Sequence, residues 1–409
     1  MVEREVIRRI IIEGQEFVNE ISLTERPFFF EQKGNYVFVG IRQAGKSYLL
    51  YQRIQQLLRE EHNINEIVYI NFDDERLRQM TADDLDLILQ AYHSLFDLRP
   101  LLFFDEIQNI EGWEHFARRL ANQKYNIYIT GSNAKMLSRE IATTLGGRFW
   151  NKDVYPYSFA EYLNARNIIL SKNWMYGKQA AEVSKAFNDY FLYGGFPELT
   201  DVIAKRVWLN DIYSKIFFSD LIVRNKVRNE EALGLLVRRL AENVKQPVSY
   251  TRLANLISSI GIKISKATVI EFIRYLKESC LIFPIENYAA KFAERNSNMK
   301  HYFIDNGLLS IFLLDGNTSL LENIVAIHLY KRYGAQLHFY NQNIEVDFII
   351  PEAKTAIQVS YSLMDETTCR REVEGLIKLN RVFPMDNMCI ITRDEERIIT
   401  HESGVSIHV

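Results

Sequence analysis

Cysteine is scarce: Cys280, Cys369 and Cys389 are the only three among 409 residues. They lie far apart and match no metal-ligand spacing, which excludes a disulfide framework and suits a reducing compartment. Long apolar runs are missing too. None approaches the roughly 20 residues that a membrane span needs, and the opening MVEREVIRRIIIEGQEF is charged from its start, with no signal-like core. The expectation is a soluble, cytoplasmic protein with no membrane association. The eight histidines are scattered and form no ligand pair or triad. A strong charge of one sign is absent: a net charge of −3 argues against coating nucleic acid with the whole surface, while leaving a local basic face open. No internal repeat or low-complexity segment stands out. What is present is an ordinary globular composition, 47% hydrophobic and 25% charged, in a chain long enough for two or three domains.

Residues 2–22 have helical periodicity, with Val6, Ile10, Phe17 and Ile21 spaced to share a face. From about Asn35 to Tyr157 short apolar runs alternate with helical segments. The runs are YVFVG (36–40), EIVYINF (66–72), PLLFFDE (100–106), YNIYITG (125–131) and KDVYPYS (152–158). Nearly unbroken apolar interiors indicate a parallel sheet covered on both faces. The expected fold is α/β: five parallel strands with crossover helices. An aromatic content of 12% is assigned to core packing rather than base stacking, because most rings fall in apolar strand or helix patterns.

Gly40-Ile-Arg-Gln-Ala-Gly-Lys46-Ser47 fits the Gly-x4-Gly-Lys-Ser/Thr phosphate loop, after an apolar strand and before helix-forming YLLYQRIQQLL. Glycines let the backbone curl until its N–H groups converge on phosphate oxygens. ATP would lie on Gly40, Arg42, Gln43, Ala44, Gly45, Lys46, Ser47 and Tyr48. Lys46 would reach the β/γ-phosphates, and Ser47 would ligate Mg²⁺. The strand LLFFD ends in Asp105-Glu106, expected beside the loop, with Asp105 orienting Mg²⁺ and Glu106 polarising the attacking water. Thr130-Gly131-Ser132-Asn133 follows the next strand. In ATPases with a strand inserted between the two Walker motifs, Ser132 or Asn133 would sense the γ-phosphate; both types also cap helices. Arg148, closing LGGRFW, would project toward the γ-phosphate of a neighbouring subunit, or be an ordinary surface arginine. Asp73 is either a second-layer acid or a turn former.

Beyond Tyr157 the chain turns helical, interrupted by YGGFPEL (193–199), read as architectural. Three helical segments within 229–280, then LIFPIENY and KHYFID as strands, describe a winged helix-turn-helix. SKATVIEFIRYLKESC would be its recognition helix, capped by Ser265, with Lys266, Thr268, Glu271 and Arg274 exposed. Lys and Arg outnumber Asp and Glu seven to four over 261–300, an excess that leaves DNA contact and a packing role both open. The last part, EVDFII…TAIQVSY, resembles the core of restriction-endonuclease-like folds. Asp347 takes the acid position and Glu322 the extra acid, but Gln358 and Ser360 replace the expected Glu and Lys. Gln binds a hard cation weakly and Ser carries no positive charge, so that site reads as degenerate. The expected domains are 1–160, 161–300 and 301–409.

The phosphate loop, INFDDERL, LLFFDEIQNIEGWE, IYITGSNAKML, the GGR before VYPYSFAEYL, YFLYGGFPEL, KHYFIDNGLL, LLENIVAIHLY and EVDFII resemble, in this order and almost end to end, a family of bacterial and archaeal AAA-type ATPases with a C-terminal domain of unknown function. The resemblance implies ATP binding, with Mg²⁺-dependent hydrolysis and a role on DNA. Two functions follow as expectations: an ATPase whose hydrolysis drives movement on DNA or a protein, and a nucleotide-gated regulator in which slow hydrolysis is a timer. A metal-dependent nuclease is a third, disfavoured by Gln358 and Ser360.

Overall fold

A computed structural model of the chain describes residues 3–31, 33–137, 139–290 and 298–409. The chain divides into two compact units, residues up to Ile169 with Glu278–Cys280, and Leu170–Lys277 with Leu281–Val409.

The first unit opens with α1 (Arg4–Glu20). Its buried face is Ile7, Ile10, Ile11, Gly14, Gln15 and Val18, so it differs from the face expected from sequence; Phe17 is half exposed and Ile21 lies past the helix end. Gln15 explains the rotation. Its amide donates to the Ile67 carbonyl at 2.9 Å, so a polar residue joins the covered face once its N–H has a partner. Then follow β1 (Asn35–Val39), α2 (Lys46–Arg59), β2 (Ile67–Asn71), α3 (Asp86–His93), β3 (Leu101–Asp105), α4 (Trp113–Asn122), β4 (Ile127–Gly131), α5 (Arg139–Leu145), β5 (Phe149–Asp153) and α6 (Phe159–Ala165). The strands pair parallel in the order β2-β3-β4-β1-β5. Strand β4 therefore lies between β1 and β3, as in ATPases with a strand inserted between the two Walker motifs. The fifth strand also ends earlier than expected. Pro156 has no N–H for a ladder, and Ser158 instead caps α6 through a reciprocal bond with Glu161.

Alternation along the strands gives the two sheet faces different chemistry. Val37, Val39, Ile70, Leu102, Phe104, Ile127 and Ile129 enter one apolar core. On the other face, Tyr36, Phe38, Phe103 and Tyr128 stack with ring centroids 4.7–5.8 Å apart, and Phe28 and Phe30 meet them edge-on. These rings are core.

The second unit contains α7 (Lys178–Tyr193), α8 (Lys205–Lys215) running into a π-helical stretch at Ile216–Val223, α9 (Glu230–Glu242), β6 (Val248–Ser249), α10 (Tyr250–Ser259), α11 (Lys266–Glu278), β7 (Ile282–Asn287), β8 (Asn298–Phe303), α12 (Asn306–Ser310) and α13 (Asn317–Tyr333). Strands β9 (His338–Asn341), β10 (Glu345–Ile350) and β11 (Thr355–Val359), α14 (Glu366–Val382), and β12 (Asn387–Ile391), β13 (Ile398–Thr400) and β14 (Ser406–His408) complete it. All nine strands form one sheet, β13-β14-β12-β11-β10-β9-β7-β8-β6. Strand β8 runs across the 300/301 boundary expected from sequence, and β7 joins β9 in parallel, so the hairpin after α11 and the C-terminal strands share one sheet. YGGFPEL meets KHYFIDNGLL here. The buried Asp305 carboxylate accepts from Gly195 N at 2.7 Å and Gly307 N at 2.8 Å. Gly194 has φ +79°, and a Cβ there would lie 1.9 Å from Asp305 Oδ1.

Candidate active site

The site is built at the carboxyl ends of β1, β3 and β4. The loop after β1 needs residues with little or no side-chain bulk at two points. A Cβ on Gly40 would lie 2.0 Å from the Val154 carbonyl oxygen, and Gly45 has φ +91° where α2 begins. Gln43, at φ 61°, completes the curl. Lys46, the first residue of α2, is buried; its Nζ donates to the Ile41 carbonyl at 3.1 Å and lies 3.5 Å from Glu106 Oε1. The loop and the acidic strand tip thus meet, although β4 lies between their strands.

Asp105 ends β3 almost wholly buried. Ser47 hydrogen-bonds its side chain, Tyr69 donates to Oδ2 at 2.8 Å, and the Thr130 hydroxyl donates to Oδ1. Tyr51 extends this chain through a 2.9 Å bond to Tyr69. Burial, reinforced by the charge of Glu106, pushes the Asp105 carboxyl up, and the three hydrogen bonds oppose that shift without reversing it. For Glu106, burial also acts upward, but Lys46 first, then hydrogen bonds from Gln108 and Ser132 and the charge of Arg42, bring it below the usual range. One acid is held ionised and its neighbour is drawn toward its neutral form. Glu106 sits in the left-handed region at φ 52°, where only a few per cent of non-glycine residues fall. Its N–H donates to Thr130 Oγ1 at 2.9 Å, fixing that turn.

Of the other residues expected from sequence, Asn133 uses its carboxamide oxygen to accept from Lys135 N at 2.8 Å, a cap on the following turn. Ser132 is the one placed near Glu106, with Gln108 Nε2 3.3 Å from its hydroxyl. Asp73 accepts from Asn109 at 2.8 Å and is exposed in a turn. Tyr48 is half exposed. Arg148 is exposed and precedes β5, whose first residue pairs with Asn35 at the start of β1. At ~3.3 Å per residue the five residues of β1 put Arg148 roughly 16 Å or more from its own loop. It does not reach the site of its own chain.

Tyr69 and Gln108 were not singled out from sequence, and Thr130 was named in the polar cluster after the fourth strand without a role of its own. Arg26 gave no signal at all. Its guanidinium ion-pairs Glu161 at 2.7 Å and donates to the carbonyls of Ala44 and Tyr155, bracing the loop from behind. In the second unit, Asp347 accepts from Val359 N at 3.0 Å. Both ends of the Gln358 carboxamide serve main-chain groups, of Asp347 and Glu345, and Ser360 donates to the Ser362 carbonyl.

The parallel sheet with its inserted strand, and a glycine loop turning into α2 beside two acids, define an α/β P-loop NTPase fold. Residues 32–163 match the family described as AAA domain, and residues 184–319 match a domain of unknown function (DUF8612). The chain belongs to the family of the uncharacterized protein MJ1544 of Methanocaldococcus jannaschii, to which it is 32% identical over 97% of this chain and 91% of that protein. An uncharacterized protein of Haemophilus influenzae is 30% identical over 84% of this chain and 86% of its own length. Among solved structures, the chain is similar to the Walker-type ATPase PABY2304 of Pyrococcus abyssi, with a TM-score of 0.43 and 14% identity over 76% of this chain and 96% of that one. It is also similar to the Orc1 protein of Aeropyrum pernix in complex with DNA, with a TM-score of 0.30 and 13% identity over 80% of this chain and 94% of that one. No helix among the described residues is long and apolar enough to cross a membrane.

Proposed function

We propose that this protein binds Mg²⁺-ATP in the first unit and hydrolyses it to ADP and phosphate. The observation that carries the reading is the meeting of Lys46 with Glu106 at 3.5 Å, beside the Ser47–Asp105 hydrogen bond. The residues fit the ligand. Amides of the Gly40–Ser47 loop and Lys46 would hold phosphates, with Arg42 and Tyr48 at the edge. Ser47 and Asp105 offer the hard oxygens Mg²⁺ prefers. Glu106, held ionised, would orient and deprotonate water, and Ser132 or Asn133 would register the terminal phosphate. Glu106→Gln should retain ATP binding while turnover falls ~10²-fold or more, the usual weight of a positioned base. Unchanged phosphate release would remove Glu106 from that role.

The output of hydrolysis is read from the second unit. Helices α9, α10 and α11 with β6, β7 and β8 have the order of a winged helix, and we assign them that fold. Ser265 caps α11 by accepting from Thr268 N at 3.0 Å. Lys266, Glu271 and Arg274 are exposed, but Arg274 lies 3.9 Å from Glu271, which tempers its charge. Lys291 and Arg295, two of the seven cations of this region, lie outside the described residues. DNA is the proposed partner, and the cytoplasm, where the free thiols of Cys280, Cys369 and Cys389 would persist, the proposed compartment. Turnover that rises with duplex or single-stranded DNA supports hydrolysis-driven remodelling. An ATP-dependent change in DNA affinity with negligible turnover supports the nucleotide-gated regulator instead.

A further inference from the structure

The second unit contains a fully buried lysine that the nucleotide site does not use and that, although one of the seven cations of 261–300, is not exposed to a partner. Lys300, on β8, has no exposed side-chain surface. Its ammonium lies 3.2 Å from Glu322 Oε1 on α13 and 3.1 Å from Asp347 Oδ1 on β10, with Glu345 Oε1 at 3.9 Å. Tyr302 donates to the same Glu322 oxygen at 2.7 Å. Glu322, Glu345 and Asp347 line a cavity of about 410 Å³, with Lys300 buried behind them; Lys245, Arg371 and Lys378 also line it. All three of these cations have partners, Arg371 on Glu372, Lys378 on Glu374 and Lys245 on the Thr318 hydroxyl at 3.1 Å.

An ammonium with three N–H donors can satisfy carboxylates from three directions, as a small cation would. A divalent ion differs in its demands, needing about six oxygen ligands at 2.0–2.6 Å. The position between Glu322 and Asp347 is filled by nitrogen, and the second oxygen of Asp347 is taken by Val359 N. Gln358 cannot turn a carbonyl into the cavity without abandoning Asp347 N. The donors therefore do not fit a metal while Lys300 is present, and no group of three His, Cys, Asp or Glu side chains suited to a metal occurs among the described residues. Burial works against the charged form of Lys300, but Glu322 first and then Asp347 hold it protonated.

We infer that the Lys300 ammonium is the resident cation of this pocket, holding Glu322 and Asp347 where a divalent metal would otherwise bind, and closing the pocket to metal. This concerns the second unit and does not rest on the nucleotide site.

Removing the ammonium should open the pocket to metal. The test uses the full chain, terbium as the probe, and tyrosine-sensitised emission, for which Tyr302 is in place. Asp347→Asn subtracts terbium bound anywhere else. In the wild type the emission should be insensitive to Asp347→Asn. Lys300→Ala and the longer Lys300→Gln should each gain a saturable signal that Asp347→Asn abolishes, and terbium should raise their melting temperatures but not that of the wild type. A wild-type signal lost on Asp347→Asn overturns the inference. So does a folded Lys300 variant that gains no signal, and so does failure of terbium to rescue the folding of both variants.

Discussion

At the scale of single residues, the candidate site is a pair of adjacent acids tuned in opposite directions. In the proposed role Asp105 would have to be ionised to hold Mg²⁺, yet burial and the neighbouring charge of Glu106 push its carboxyl up, so Mg²⁺-ATP binding should strengthen as pH rises through its titration. Two substitutions separate the causes. Glu106→Gln removes the repelling charge, lowers the Asp105 titration, and should move the pH midpoint of Mg²⁺-ATP binding down. Tyr69→Phe removes a donor to the ionised form and should move it up, with a stability cost of about 1 kcal/mol. Equilibrium binding of a fluorescent ATP analogue across pH checks both, and shifts of the same sign would contradict the electrostatic account. Lys46, Ser47, Asp105 and Glu106 were legible because a phosphate loop and an acidic strand tip are local patterns. Tyr69 and Arg26 were not. Their roles depend on which strands become neighbours and on where a loop before β1 folds back, and no local spacing encodes either.

At the scale of elements, strands were readable from their apolar interiors, and their ends were not. The fifth strand shows why: VYPYS is apolar enough to extend it, but Pro156 and the Ser158–Glu161 cap convert it into the entry of a helix. The YGGFPEL turn shows a second limit, since Gly194, where a Cβ would strike the Asp305 carboxylate, and the Gly195 N–H that this carboxylate accepts, 110 residues away, make sense only beside Asp305. That carboxyl is pushed up by burial to about 6, against the opposing N–H bonds of Gly195, Gly307 and Leu308. A folded value near 6 and an unfolded one near 3.8 mean that the native state binds the extra proton between these pH values. The Asp305 contribution is complete below about pH 4 and is lost as pH rises through 6, an effect on the order of 3 kcal/mol. His301 acts in the opposite sense. Burial first, and then Lys277, lower it from 6.5 to about 4, so its contribution is present above pH 6.5 and lost on acidification to 4. Wild-type stability should therefore change little through these two groups between pH 4 and 6.5. Asp305→Asn should expose the His301 loss, and its melting temperature should drop more steeply than the wild type on acidification over that range. Parallel melting curves would contradict the assignment.

At the scale of the molecule, the boundary near residue 300 was illegible because composition does not reveal that β7 and β9 pair in parallel, joining segments about fifty residues apart into one sheet. The placement of Arg148 has a further consequence. It stands at the start of β5, beside the amino end of β1, whereas the loop lies past the carboxyl end, so no rotamer of a single side chain spans the gap within one chain. If it stabilises charge on a transferring phosphate, it does so on a neighbouring copy, and the site is complete only in an assembly. Turnover per molecule should then rise with protein concentration. Arg148→Ala should abolish that rise while leaving nucleotide affinity in dilute solution intact, with a loss approaching the 10³-fold low end for such arginines. A mixture of Arg148→Ala with Lys46→Ala gives the decisive reading. Each variant lacks one half of the site, so a trans arrangement restores turnover at contacts where an intact loop faces an intact arginine. A cis arrangement restores none. Concentration-independent turnover, or a mixture as inactive as its parts, would make Arg148 an ordinary surface residue.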